Sequence, residues 1–118
     1  ELIERTTKEL VHSMGGKVDL HIDKGYPAVY NNESLNENAK ILAEQFMGKE
    51  NVEETEKRMG AEDFGYYSQL IPGCFYRLGT GNKQKGISAG VHTPHFNIDE
   101  NAIEIGMGIM AWLGSNID

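Results

Sequence analysis

The residues best suited to chemistry in this chain stand in the segment Val91-His92-Thr93-Pro94-His95-Phe96. The neutral imidazole of His92 offers a lone pair near physiological pH, which makes it a natural metal ligand. Pro94 fixes its own φ and biases Thr93 toward extended conformations, so the backbone behind His92 gives up much of the freedom of an ordinary loop. One donor is only a corner of a site, because a catalytic zinc takes about three protein ligands plus a water. By itself a loop histidine is more often solvated or hydrogen-bonded, and both readings stay open at this point. The paired acids Glu62-Asp63 read, by residue type alone, as solvated or as stabilising the start of a short helix. His21 alternates with other polar residues and reads as surface, and His95 reads as a surface or supporting side chain. Cys74 lies beside an apolar run with no base nearby in sequence, the pattern of a small hydrophobe and not of a nucleophile. The glycine clusters 79–81 and 86–90 lack the spacing and the lysine of a phosphate loop, so turn chemistry accounts for them.

The elements that must position these residues are legible as periodicity. Ile3, Leu10, Val11 and Met14 fall at helical spacing and predict a helix over 1–14, stopped by Gly15-Gly16. Residues 17–23 alternate polar and apolar and predict a half-buried strand, broken at Gly25-Tyr26-Pro27. Ser34-Leu35-Asn36-Glu37 has the form of a capping box. It opens a helix over 35–47 whose buried stripe is Leu35, Ala39, Leu42, Ala43, Phe46 and Met47, with Gly48 at its end. Residues 52–56 read as a short strand in a solvated acidic loop, and 75–78 as an aromatic strand between turn signals. A last helix over about 99–113, capped by Asn97 or Asp99, is apolar on most sides, which predicts cover by a sheet and by another element. Gly106 and Gly108 would allow close approach against a strand. Together these elements predict an α/β layer from about Asn31 onward, with the residues before Tyr30 forming the edge of another unit.

The chain has 118 residues, enough to bury about two-thirds of its unfolded surface in one core. Its net charge of -7 argues against nucleic acid, which demands clustered Lys and Arg. No apolar run approaches membrane-spanning length, which argues against a membrane partner, and the single cysteine cannot form an intrachain disulfide. A reducing, cytoplasmic setting is the expectation. The opening Glu1-Leu2-Ile3 starts inside a helix with no initiator Met, which reads as a cut in a longer parent.

Three segments carry a family resemblance: Met59-Gly60-Ala61-Glu62-Asp63-Phe64, then Pro72-Gly73-Cys74-Phe75-Tyr76-Arg77-Leu78-Gly79, then Val91-His92-Thr93-Pro94-His95-Phe96-Asn97-Ile98-Asp99-Glu100. In this order and spacing they resemble the carboxy-terminal part of the two-metal amidohydrolases and exopeptidases of the zinc metallopeptidase superfamily. Hippurate hydrolases, N-acyl-amino-acid amidohydrolases and plant auxin-conjugate hydrolases belong to that group. The start of the chain is similar to the end of that family's inserted lid and dimerisation domain, so the resemblance covers nearly all of it. It implies the end of a lid domain over 1–30, as one helix and one strand. It implies the C-terminal part of a mixed-sheet, helix-covered catalytic domain over 31–118.

The resemblance further implies a parent hydrolase that cleaves the amide of N-acyl amino acids or small peptides. It would use two divalent metals, zinc or manganese, to polarise the carbonyl and activate water. The parent would be a homodimer through its lid domain. The family's histidine ligand carries over to His92, and the Glu-Asp-Phe motif beside its cleft to Glu62 and Asp63. The remaining ligands, the catalytic glutamate and the substrate-binding residues of that family lie upstream of Glu1. No catalytic residue is therefore expected within these residues, and the chain alone should be inert. The competing expectations are a stand-alone binding module whose strand 17–23 pairs with a partner by edge addition, and a structural domain in which His92 is an ordinary turn residue.

Overall fold

A computed structural model of the chain describes residues 1–117. Its helices are α1 (Leu2–Ser13), α2 (Glu33–Met47), the short α3 (Phe64–Ser68) and α4 (Asn101–Asn116), with 3-10 turns at Lys49–Asn51 and Lys83–Lys85. The three long helices arise where the apolar periodicity places them. The glycines stop them as expected: Gly15 turns left-handed at φ 77 after α1, and Gly48, at φ 88, closes α2 with its N–H donated to Glu44.

The cap of α2 differs from the expected capping box. Asn32 has extended backbone and is the last non-helical residue. Its Oδ1 accepts from the Leu35 N–H at 3.1 Å and from the Ser34 hydroxyl at 2.9 Å. Asparagine ranks at least as high as serine in this role, which is worth about 1 kcal/mol, so the cap falls two residues earlier than the box pattern suggests. At α4 the start also moves. Asp99 lies before the helix, its backbone carbonyl accepting from Ala102 at 2.9 Å and its carboxylate from the Asn101 N–H at 3.3 Å.

The core lies between α2 and α4. Ala39 of α2 and Ile109 and Leu113 of α4 are buried together, with Leu42, Ala43, Met47, Cys74 and Ile117 packed around them. Trp112 ties the two helices by donating its indole N–H to the Leu42 carbonyl at 3.1 Å, and its ring lies 6.3 Å from that of Phe46. Gly108 is small because the Phe46 ring sits where its side chain would be, and Gly106 because Leu78 does. Close approach at these glycines is therefore made to side chains, one of them from a helix, and not to a strand. α4 is covered on this one side only. Ile103, Ile105, Met107 and Met110 remain exposed, contrary to the expectation that a sheet and a second element would enclose it.

The expected α/β mixed sheet is absent among the described residues. The only β pairing is an isolated antiparallel bridge between Asn82 and Ile87. The reason is that a strand, unlike a helix, must find its hydrogen-bonding partner elsewhere in the chain. Residues 17–23 and 52–56 have no paired neighbour. In the segment 75–78, Phe75 has its partner supplied by a side chain: its N–H donates to Asn31 Oδ1 at 2.8 Å and its carbonyl accepts from Asn31 Nδ2 at 3.0 Å. The Asn31 carboxamide thus stands in for a strand residue. Glu54, in the acidic stretch, pairs with Lys40 of α2 at 2.8 Å.

The chain does not close on one core. Its radius of gyration is 20.7 Å, against about 13 to 14 Å for a compact domain of this length. α1 contributes no buried residue, and Leu2, Ile3, Leu10 and Met14 stay exposed along it. Residues 26–27 do dock, with Tyr26 edge-on to Tyr66 of α3 at 5.6 Å between ring centres.

Candidate functional site

His92 sits at the tip of a turn and is exposed. Its φ is 64, the only positive value at a non-glycine among the described residues. Left-handed backbone costs an L-residue about 1–2 kcal/mol, less severely for His, Asn and Asp than for most. The turn is held locally by the Thr93 hydroxyl donating to the Gly90 carbonyl at 2.9 Å and by the Phe96 N–H donating to Thr93 at 3.1 Å. No hydrogen bond among the described residues engages the imidazole of the exposed His92. His95, in the same turn, is exposed as well.

The ends of this loop meet in one knot. Asn82 and Ile87 exchange backbone hydrogen bonds of 2.8 Å around a turn closed by Gly86 at φ 72. The Asp99 N–H donates to the Thr80 carbonyl at 2.8 Å. The Asp99 carboxylate accepts from Asn82 Nδ2 at 2.6 Å and from Lys85 Nζ at 2.7 Å. The Lys85 ammonium foremost, then the Asn82 amide, holds the Asp99 carboxyl below the usual carboxylate range. The sequence marks Asp99 only as a helix-start acid. Its pairing with Lys85 and Asn82 is a long-range contact that no local pattern announces.

Glu62 and Asp63 stand at the start of α3. Their backbone carbonyls accept from the N–H groups of Gly65 and Tyr66 at 3.1 and 3.0 Å, and Asp63 occupies the cap position without a capping bond from its side chain. Glu62 is half-buried and Asp63 exposed. The neighbouring Gly65, unmarked by motif reasoning, is buried because the Pro27 carbonyl occupies the place of a Cβ. Its signal was present in sequence only as one more glycine following a Glu-Asp-Phe run.

His92, Glu62 and Asp63 do not assemble into a metal centre. No group of three or more His, Cys, Asp or Glu side chains able to hold an ion exists among the described residues. His92 fits the part of a single exposed donor, and no further donors of a cation site stand with it among the described residues. An open depression of about 820 Å³, lined by residues such as Tyr30, Asn32 and Glu37 at the start of α2, does not include His92. Cys74 packs against the core and donates its thiol to Asn36 Oδ1 at 3.4 Å, and burial pushes its pKa up, which favours the unreactive form. No described helix is long and apolar enough to cross a membrane.

Comparison with known proteins bears on the same segments. The profile of peptidase family M20/M25/M40 matches residues 3–114. Among curated relatives, IAA-amino acid hydrolase ILR1-like 6 of Arabidopsis thaliana is 35% identical over 86 residues, covering 73% of this chain and 18% of the relative. IAA-amino acid hydrolase ILR1-like 5 of the same plant is 33% identical, covering 93% and 26%. The putative amidohydrolase YhaA of Bacillus subtilis (strain 168) is 30% identical, covering 92% and 28%. The chain thus spans between about a fifth and somewhat over a quarter of the length of these relatives. No solved structure matches it.

Proposed function

The chain belongs to peptidase family M20/M25/M40, a family of hydrolases, and on that premise we propose that it is part of a metal-dependent amidohydrolase acting on N-acyl amino acids or small peptides. The observation that carries the reading is His92. It is a free imidazole on a left-handed turn, within the ordered motif series that resembles this family. Relatives named IAA-amino acid hydrolase and putative amidohydrolase support an amide as the bond cleaved. His92 acts as one ligand of a two-metal centre, zinc or manganese, and Glu62 and Asp63 border its cleft from the start of α3. Residues 1–30 belong to a lid through which the whole protein dimerises, and 31–118 to its catalytic part. The separation of α1 from the α2–α4 core supports that division. The setting is the cytoplasm.

A metal centre polarises the amide carbonyl and lowers the pKa of a water, and a single histidine cannot hold it. The 118 residues alone therefore have no activity on hippurate or acetylated amino acids with added zinc or manganese. Turnover by the chain itself would overturn the claim of incompleteness. In a protein of the relatives' length, His92→Ala lowers metal content by elemental analysis and amide hydrolysis by orders of magnitude. His95→Ala changes either by no more than about 10–100-fold, the range of a supporting group. A folded His92→Ala protein with full metal content and near-normal turnover would refute the assignment.

A further inference from the structure

We propose that Asp99 is the positioning residue of His92, a single carboxylate that closes the base of the loop and so holds the imidazole in its left-handed presentation. The proposal rests on the reading of His92 as a ligand, but its structural content can be tested without it. The interactions that fix the two ends of the loop converge on Asn82 and Asp99. On the outgoing side, Ile87 is locked to Asn82 by paired backbone bonds. Asn82 in turn caps the Lys83–Lys85 turn, its Oδ1 accepting from Gln84 and Lys85. On the returning side, the Asp99 backbone is locked to Thr80. The Asp99 carboxylate then joins the two sides, one oxygen on Asn82 at 2.6 Å and the other on Lys85 at 2.7 Å. Its Oδ1 also receives the Asn101 N–H at 3.3 Å, so the same group is tied to the first turn of α4, the helix that carries the core.

The arc between Ile87 and Asp99 has few bonds of its own, chiefly those of Thr93 to Gly90 and of Phe96 to Thr93. Left to itself, such an arc would not keep a histidine at φ 64, because the strained backbone would relax to a commoner well. Fixing both ends to a helix that is itself packed removes most of the alternatives, which is loop closure working in favour of one conformation. Asp99 is only 12% exposed as a side chain, while Lys85 is 51% exposed. The carboxylate is therefore the fixed centre of the knot and the ammonium its mobile arm.

The test uses the 118-residue chain without metal, read by NMR. In the unaltered chain, His92 gives the strong intraresidue HN–Hα NOE of positive φ. In Asp99→Ala that NOE is lost and the amide of Phe96, which donates to Thr93, exchanges at least about tenfold faster, while those of Ile109 and Leu113 keep their protection. Lys85→Met removes the ammonium arm while leaving the Asp99 carboxylate to accept from Asn101, and produces a smaller acceleration confined to the loop, and Asp99→Asn restores part of the NOE by keeping an acceptor for Asn101. Unchanged His92 signals in Asp99→Ala overturn the proposal. So does loss of α4 protection in Asp99→Ala together with an undisturbed loop in Lys85→Met, since Asp99 would then serve only to start the helix. Because the readout is loop order and not turnover, failure here leaves the ligand assignment of His92 standing, and failure of the His92→Ala assay leaves this result standing.

Discussion

Gly65→Ala is the substitution that most directly tests how residues 26–27 are held to the Glu62-Asp63 segment. A Cβ built on Gly65 overlaps the Pro27 carbonyl oxygen and comes 3.2 Å from the carbonyl carbon and 3.3 Å from the ring Cγ. The obstacle is backbone, so it cannot swing aside as a side chain would, and residues 26–27 must retreat from α3. Overpacking of this kind costs about 1–3 kcal/mol. The retreat also opens the Tyr26–Tyr66 edge contact at 5.6 Å, a geometry worth about 0.5–1.5 kcal/mol. Alanine returns at most about 1 kcal/mol in helix propensity, and less in a helix as short as α3. The expected net loss is about 1–3 kcal/mol for this docking. It is to be read as accelerated amide exchange at Tyr66 and Tyr67 and a lower urea midpoint by tyrosine fluorescence. Unchanged or slower exchange, with an unchanged midpoint, would refute the contact and with it the reason given for glycine at this position.

Three further outcomes are expected. Ile109→Ala removes the most buried side chain of the small α2–α4 core, 2% exposed, and should cost about 2–5 kcal/mol by urea unfolding followed by circular dichroism; a loss near zero would mean that α4 does not depend on this contact. Asn31→Ala strips both partners from the Phe75 backbone and should cost about 1–3 kcal/mol, with the Phe75 amide losing its protection first. The Asp99 carboxyl is held low by Lys85 and Asn82, so its contribution is present above the ordinary carboxylate pKa of about 3.9 and is lost as pH falls below that value through the folded-state pKa. Protection of the Asp99 amide, its exchange relative to the unstructured peptide at the same pH, should therefore hold down to about pH 4 and fall only in more acidic solution; a loss of protection beginning near neutrality would contradict the assignment.

What the sequence made legible follows the locality of the forces. The bodies of α1, α2 and α4 could be read because each helical hydrogen bond closes within four residues, so apolar spacing and the glycines at 15 and 48 carried the needed information. The turn at His92 could be read for the same reason. The expected sheet does not form because alternation at 17–23 describes a preference that only a neighbouring strand can satisfy, and the described residues provide none. Composition marks Asn31 and Asn32 as a candidate boundary but not their partners: Asn32 caps α2, and Asn31 pairs with Phe75, more than forty residues away in sequence. Asp99 was visible as a helix-start acid and invisible as the tie between the loop ends, since the identity of its partners depends on the fold.

On the reading of His92 as a ligand, its left-handed backbone makes position 92 a place where the cheapest sequence and the useful one differ. Glycine relieves the conformational cost at φ 64 altogether, so a selection for thermal resistance alone should drift toward His92→Gly and gain up to about 1 kcal/mol. Asparagine and aspartate tolerate the same backbone and would be nearly neutral, whereas β-branched residues would be purged for strain whatever their chemistry. A saturation library at this codon, sorted once for folding and once for hydrolysis in the full-length protein, should thus return two different rankings. Their divergence would measure how much stability is given up to keep an imidazole there.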